Sequence, residues 1–173
     1  MKTTSLNNDF KEISLNKILP HLKTTTIGRH FKYFTTLDST NTYCKLLAEK
    51  NCPEGTIVIS EEQTKGRGTK GRIWSSPKGS GLWISILLKP KITTTDISKI
   101  TLITSCALYE TFKKLGINSQ IKWPNDMLIN NKKVCGILTE ANIKESVVNY
   151  IILGVGINVH VSCDDFNVDL KPK

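Results

Sequence analysis

The chain is 173 residues long, 39% hydrophobic and 23% charged, with a formal charge of +9, enough for one ordinary domain with a substantial core. No apolar run approaches a membrane span, and the polar start from Met1 to Asp9 reads as neither signal nor transit peptide, so a cytoplasmic protein with no membrane partner is expected. Cys44, Cys52, Cys106, Cys135 and Cys163 are scattered without any Cys-x-x-Cys, and His21, His30 and His160 stand apart, which argues against a disulfide framework or a zinc site and predicts buried, reduced thiols.

Residues 1–30 read as an extension with one short helix, Leu15 to Lys23, interrupted by Pro20. They are too few for a DNA-reading module. Phe31 to Leu37 reads as a strand, and Asp38-Ser39-Thr40-Asn41 offers cap chemistry to a helix carrying Tyr43, Leu46, Leu47 and Ala48 at helical spacing. Thr56 to Ser60 is a short apolar strand leading into the run Gln63-Thr-Lys-Gly-Arg-Gly-Thr-Lys-Gly-Arg72. Leu82 to Leu88 is apolar on both faces, which predicts a central strand. Asp96 to Leu115 is the longest predicted helix, with Ile97, Ile100, Leu102, Ile103, Ala107, Leu108 and Phe112 as its stripe and Gly116 at its C′ position. Ile121 to Trp123 and Asp126 to Ile129 bracket Pro124, Asn130-Asn131 signals a tight turn, and strands follow at Lys133 to Thr139 and from Tyr150 through Gly156 to Val161. Mixed order with consecutive late strands predicts an α+β fold, a mostly antiparallel mixed sheet backed by helices.

Four places concentrate chemistry. From Gln63 to Thr95 no acidic residue occurs, while seven cations lie between Lys65 and Lys91, three glycines among the first of them. Glycines permit close backbone approach and the cations neutralise charge, so this loop suits a phosphate or a carboxylate. It lacks the Gly-Lys-Ser/Thr of a P-loop and leads toward a strand, unlike a dinucleotide fingerprint; a flexible surface loop has the same composition, although Trp74-Ser75-Ser76-Pro77 suggests a tether at its end. Lys122-Trp123-Pro124-Asn125-Asp126 is a hairpin corner or a set of groups able to bind Mg²⁺ and a nucleobase. Lys133 at a strand start faces either solvent or a ligand. Gly154-Val155-Gly156-Ile157-Asn158 removes side chains from a strand, for a ligand, another backbone or a bulge.

Taken in order, Asp-Ser-Thr-Asn at 38–41, Glu-Gln-Thr-x-Gly-Arg-Gly-x-x-Gly-Arg-x-Trp-x-Ser-Pro at 62–77, Lys-Trp-Pro-Asn-Asp at 122–126, Lys-x-x-Gly-Ile-Leu at 133–138 and Gly-x-Gly-Ile-Asn at 154–158 resemble the catalytic core of biotin protein ligases. The resemblance spans Phe31 to Val161. It implies a class II synthetase-like core over residues 31–173, which joins biotin to ATP as biotinyl-5′-AMP and passes the biotinyl group to a lysine of a biotin carboxyl carrier protein, with Mg²⁺ as cofactor.

By the same resemblance, Ser39, Thr40, Asn41, Gln63, Gly66, Arg67, Gly68, Thr69, Lys133 and Gly136 would serve biotin. Arg72, Trp74, Lys122, Asn125, Asp126 and Asn158 would serve ATP and the adenylate. Lys133 and Arg67 would be catalytic, and Asp126 would hold Mg²⁺. Thr69 departs from the third loop arginine of many relatives, which implies weaker closure over the adenylate unless Lys70 substitutes. The family also continues into a small carboxy-terminal barrel, so a truncated or compact form is expected. Two rivals stand beside this reading, a lipoate or octanoate ligase or transferase and a non-catalytic biotin-binding regulator or inactive fragment. Nucleic acid is not expected as the primary partner, because no DNA-reading module and few aromatics accompany the basic residues; a homodimer is left open.

Overall fold

The computed structural model describes residues 14–161, so Met1 to Asp9 and Cys163 lie outside the described residues. Helix α1 runs only over Leu15–Ile18 before a 3₁₀ turn, Leu19–His21, takes over. Pro20 explains why the expected helix to Lys23 stops early: lacking an N–H, it is tolerated in a first turn and not in a helix interior.

Among the described residues seven strands form one sheet, in the order β1-β2-β3-β7-β6-β5-β4. They are β1 (Phe31–Leu37), β2 (Ile57–Gln63), β3 (Gly81–Leu88), β4 (Gln120–Lys122), β5 (Asp126–Ile129), β6 (Lys132–Lys144) and β7 (Val147–Asn158). Only β1 and β2 pair in parallel, joined by α2 (Thr40–Glu49), and every other pairing is antiparallel. This is the expected α+β sheet, with β3 in its interior between β2 and β7.

The two faces of β3 carry separate cores. On one face, Cys44, Leu47 and Ala48 of α2 recur at helical spacing and bury against Val58, Leu87, Tyr150 and Ile152. Phe34 of β1 meets Tyr43 of α2 edge to face, ring centroids 4.6 Å apart. Leu46, expected in that stripe, is 49% exposed, because the buried line runs through Cys44. On the other face, α3 (Ile97–Lys114) sets Phe112, Leu108, Tyr109 and Ile100 against Ile84, Ile86, Met127, Ile137, Leu153 and Val155. Ile103 and Ala107 fall outside this stripe and are exposed. The fully buried Ser105 takes that side instead, its hydroxyl donating to the carbonyls of Thr101 at 3.1 Å and Pro124 at 3.2 Å.

Two-residue turns close the late hairpins. Asn130 and Asn131 have φ of 49° and 61°, the backbone that a type I′ turn requires and that asparagine tolerates. Glu145 and Ser146 do the same between β6 and β7 with φ of 51° and 66°, without a sequence signal of that kind. β6 therefore extends beyond its expected range at both ends, whereas β7 begins three residues before Tyr150 and ends at Asn158, short of the expected Val161.

Of the four described cysteines, Cys44 and Cys135 are buried, Cys52 is half-buried and Cys106 is exposed, so burial fails as a rule for all of them. Burial pushes the Cys44 thiol up to about 12, with Cys52 adding to it. Burial and then Asp126 raise Cys135 to about 12 as well, partly offset by Lys133. Both stay neutral thiols at pH 8, where reactivity follows thiolate and access. Iodoacetamide at pH 8 should thus label Cys106 well before Cys44 or Cys135, with peptide mapping as the readout; Cys44 labelled as fast as Cys106 would contradict the packing of α2.

Candidate functional site

Parallel pairing of β1 and β2 sets Leu37 opposite Gln63, so the start of α2 and the end of β2 emerge side by side. Ser39 caps α2 from an extended backbone, φ −158°, and its N–H donates to Asp38 Oδ1 at 2.6 Å. Gln63 Oε1 accepts from the Thr40 N–H at 2.8 Å and the Thr40 hydroxyl at 3.0 Å. The other end of the same amide donates from Nε2 to Ser76 Oγ at 2.8 Å. One glutamine thereby links the helix cap to the far end of the basic loop.

That loop is fastened along its length. Thr64 N–H donates to Leu37 O at 2.9 Å, Lys65 N–H to Asp38 O at 2.8 Å, Trp74 N–H to Gly66 O at 2.9 Å and Gly68 N–H to Arg72 O at 2.7 Å. Its tip is a 3₁₀ turn over Thr69–Gly71, with Lys70 at φ 56°. The expected tether at Trp74 to Pro77 is present, completed by Gln63 N–H donating to Ser76 O at 3.0 Å.

The floor is the α2-side face of the sheet. In β7, Gly154 pairs with Ser85 and Gly156 with Trp83 of β3, and on the other flank Gly156 pairs with Gly136 of β6. These glycines make room for neighbouring side chains. A Cβ on Gly154 would overlap Asn41 Oδ1, and one on Gly156 would lie 2.5 Å from Trp74 Nε1. Gly154→Ala should therefore displace Asn41 and lower stability by about 1–3 kcal/mol, the usual cost of overpacking; an unchanged melting temperature would contradict this close approach.

Between the α2 cap and the Trp74 indole lies a cleft of about 450 Å³, much of it open to solvent. Of the residues expected from sequence, Ser39, Thr40, Asn41, Gln63, Arg67, Gly68, Thr69, Trp74, Asn125, Lys133 and Gly136 line it. Gly66 is buried beneath the Trp74 carbonyl, and Asp126 reaches the site through Lys133. Arg72 and Lys122 are exposed and Asn158 ends β7 opposite Gly81; none of these three lines the cleft.

Both expected catalytic cations hold a carboxylate. Arg67 Nη2 lies 2.8 Å from Glu140 Oε1. Lys133 Nζ lies 2.7 Å from Asp126 Oδ1 and 5.2 Å from the Trp74 ring centroid, within reach of a cation–π attraction. Asp126 Oδ1 is buried and accepts no hydrogen bond of regular geometry; Lys133 is its counter-ion. Trp74 Nε1 is also buried without a hydrogen-bond partner. Asn125 Nδ2 donates to Ile137 O at 3.1 Å and its backbone carbonyl accepts from Ile137 N–H at 2.9 Å, so half of its amide is committed to holding the corner.

Two participants escaped the sequence reading. Glu140 accepts Asn41 Nδ2 at 2.8 Å through Oε2. Ser85, fully buried, places Oγ 2.5 Å from Asn41 Oδ1 and 2.8 Å from Thr40 Oγ1. Alternation puts Glu140 on the same strand face as Gly136 and Leu138, but nothing local brings it to Arg67 or Asn41.

Comparison with known proteins gives a consistent picture. Residues 33–158 match the Biotin/lipoate A/B protein ligase family. The bifunctional ligase/repressor BirA of Bacillus subtilis is 42% identical over 161 residues, covering 92% of this chain and 50% of that protein. The biotin protein ligase of Aquifex aeolicus in complex with biotin and ATP superposes with a TM-score of 0.61 at 32% identity, covering 83% of this chain and 57% of that one. The biotin acetyl coenzyme A carboxylase synthetase of Helicobacter pylori with bound biotinylated ATP gives 0.62 at 28% identity, over 75% and 60%. The chain spans about half the length of the curated relatives it matches.

Proposed function

The chain belongs to the Biotin/lipoate A/B protein ligase family, and from that premise we propose that it activates biotin with ATP to biotinyl-5′-AMP and transfers the biotinyl group to a lysine of a biotin carboxyl carrier protein. The observation that carries this reading is the meeting of Arg67 and Lys133 in one glycine-floored cleft, each with a carboxylate as counter-ion. Activation brings together two anions, and two cations in a partly enclosed site supply the neutralisation that water would otherwise give.

In the first step a carboxylate oxygen of biotin attacks the α-phosphorus of ATP, and the bond to the bridging oxygen breaks as pyrophosphate leaves. Lys133 exchanges Asp126 for the reacting carboxylate and α-phosphate oxygens, while the Trp74 face keeps its ammonium aimed into the cleft. In the second step the carrier's neutral amine attacks the acyl carbon, the bond from that carbon to the phosphate oxygen breaks as AMP departs, and the amine's proton passes to solvent. Ser39, Thr40 and Gln63 present the edge that reads the biotin head, with Gly66, Gly68, Thr69 and Gly136 shaping its walls. Trp74, Asn125, Arg72, Lys122 and Asn158 are assigned to the adenylate side, although the last three lie outside the cleft lining.

Among the described residues there is no cluster of three or more metal-ligating side chains. Asp126 is a single carboxylate paired with Lys133 until substrates draw that ammonium away, so Mg²⁺ would enter with ATP, and Asp126, once released, would be its one protein carboxylate. The catalytic domain is assigned from residue 31 onward. No helix among the described residues is long and apolar enough to cross a membrane, and a cytoplasmic location is proposed.

Labelled biotin separates this reading from a lipoate ligase. Biotin should bind, resist competition by excess lipoate, and in the presence of MgATP label one carrier lysine. Displacement by lipoate at equal concentration would assign the site to the other acyl group.

A further inference from the structure

Glu140 sits where three segments meet. Its Oε1 lies 2.8 Å from Arg67 Nη2 of the loop, and its Oε2 accepts from Asn41 Nδ2 in the first turn of α2 at 2.8 Å. Asn41 is held at its other end by Ser85 and rests against Gly154. The Arg67 and Glu140 side chains are 50% and 33% exposed, and ion pairs so open to solvent add little to folding stability. What the contact does is fix direction: one carboxylate joins the loop's most central cation to the edge of the recognition cap.

We propose that Glu140 is a positioning residue for the reaction, holding the Arg67 guanidinium at the cleft and Asn41 over Gly154 before substrate arrives. The loop's conformational freedom is then lost on folding rather than on binding, which lowers the concentration of acid needed to fill the site and slows escape of the adenylate. This inference rests on the proposed function and adds a residue to it.

Substitution by glutamine separates the two bonds. The amide that replaces the carboxylate keeps one oxygen to accept from Asn41 but turns an NH₂ toward Arg67, so Glu140→Gln releases the loop and spares the cap. Glu140→Ala releases both.

The wild-type chain, Glu140→Gln, Glu140→Ala and a remote control on exposed α3, Glu110→Gln, are compared by limited trypsin digestion and by biotin-dependent ATP–pyrophosphate exchange. Cleavage after Arg67 relative to Arg72 should rise about fivefold in Glu140→Gln, the factor that a half-exposed ion pair supplies. The apparent KM for biotin and the rate of adenylate escape should rise by about the same factor while kcat stays within about twofold. Glu140→Ala should raise KM further, and Glu110→Gln should match wild type. An unchanged cleavage ratio and unchanged KM in Glu140→Gln would overturn the tether, as would a fall in kcat that merely tracks the folded fraction in a thermal melt. Absence of exchange in wild type would instead strike the functional reading, and the digestion ratio would still decide the tether.

Discussion

Lys133→Ala is expected to lower biotin-dependent ATP–pyrophosphate exchange by at least about 100-fold, the scale on which losing one well-placed charge in a transition state is felt. The structure ties this to a second effect. Asp126 Oδ1 is buried with Lys133 as its counter-ion, so removal of the ammonium leaves a carboxylate uncompensated. Because Lys133 is 41% exposed, water relieves part of this, and a loss of about 1 kcal/mol is expected. The double variant Lys133→Ala, Asp126→Asn should regain the melting temperature without regaining exchange. Exchange restored by the double variant would show that Lys133 serves the fold alone; near-normal exchange in the single variant would remove it from the mechanism.

Trp74 divides structure from binding in another way. Its ring lies over Gly136 and Gly156, meets Trp83 edge to face with centroids 6.5 Å apart, and stands beside Lys133. Trp74→Ala should cost about 2–3 kcal/mol, somewhat less than truncating a fully buried aromatic, and should loosen the end of the basic loop. Trp74→Phe keeps a ring on the glycine floor. Since Nε1 has no protein partner, the folded state loses no hydrogen bond, and stability should change by less than about 1 kcal/mol. The indole N–H is buried against Gly156 at the cleft wall, and on the function proposed above it is assigned as a donor to the ligand, so the phenylalanine variant should bind biotin or ATP about 5–10-fold more weakly. A melting temperature that falls as far in Trp74→Phe as in Trp74→Ala would contradict that division. Unchanged binding of both substrates would show that the indole N–H points at neither.

Much of this was legible in the chain because local chemistry and final position agree. The acid-free loop, the cap at Ser39 and the Asn130-Asn131 turn are local devices, and each occupies the place its sequence suggests. The helical stripes were less legible. In α2 and α3 polar residues share the buried side, so Leu46 and Ile103 looked inward by composition while Cys44 and Ser105 are inside. The glycines of β7 announced close approach, but sequence could not say that Asn41 and Trp74 make it.

Glu140 was hidden for a related reason. An acid in a strand reads as a solvated position, and only the register of β6 against β7, with the return of the loop over that face, brings it to Arg67 and Asn41. Lys133 was legible as a candidate, whereas its dependence on Asp126 needed the β5–β6 hairpin, which sets Asp126 opposite Gly136. Local signals thus located the site, and long-range pairing decided which charges meet in it.

Exchange of labelled pyrophosphate into ATP, run on this chain with and without biotin, tests the central claim most directly. The account predicts exchange that requires biotin and is lost with Lys133→Ala. Exchange independent of biotin, or none from folded protein that binds both substrates, would contradict it.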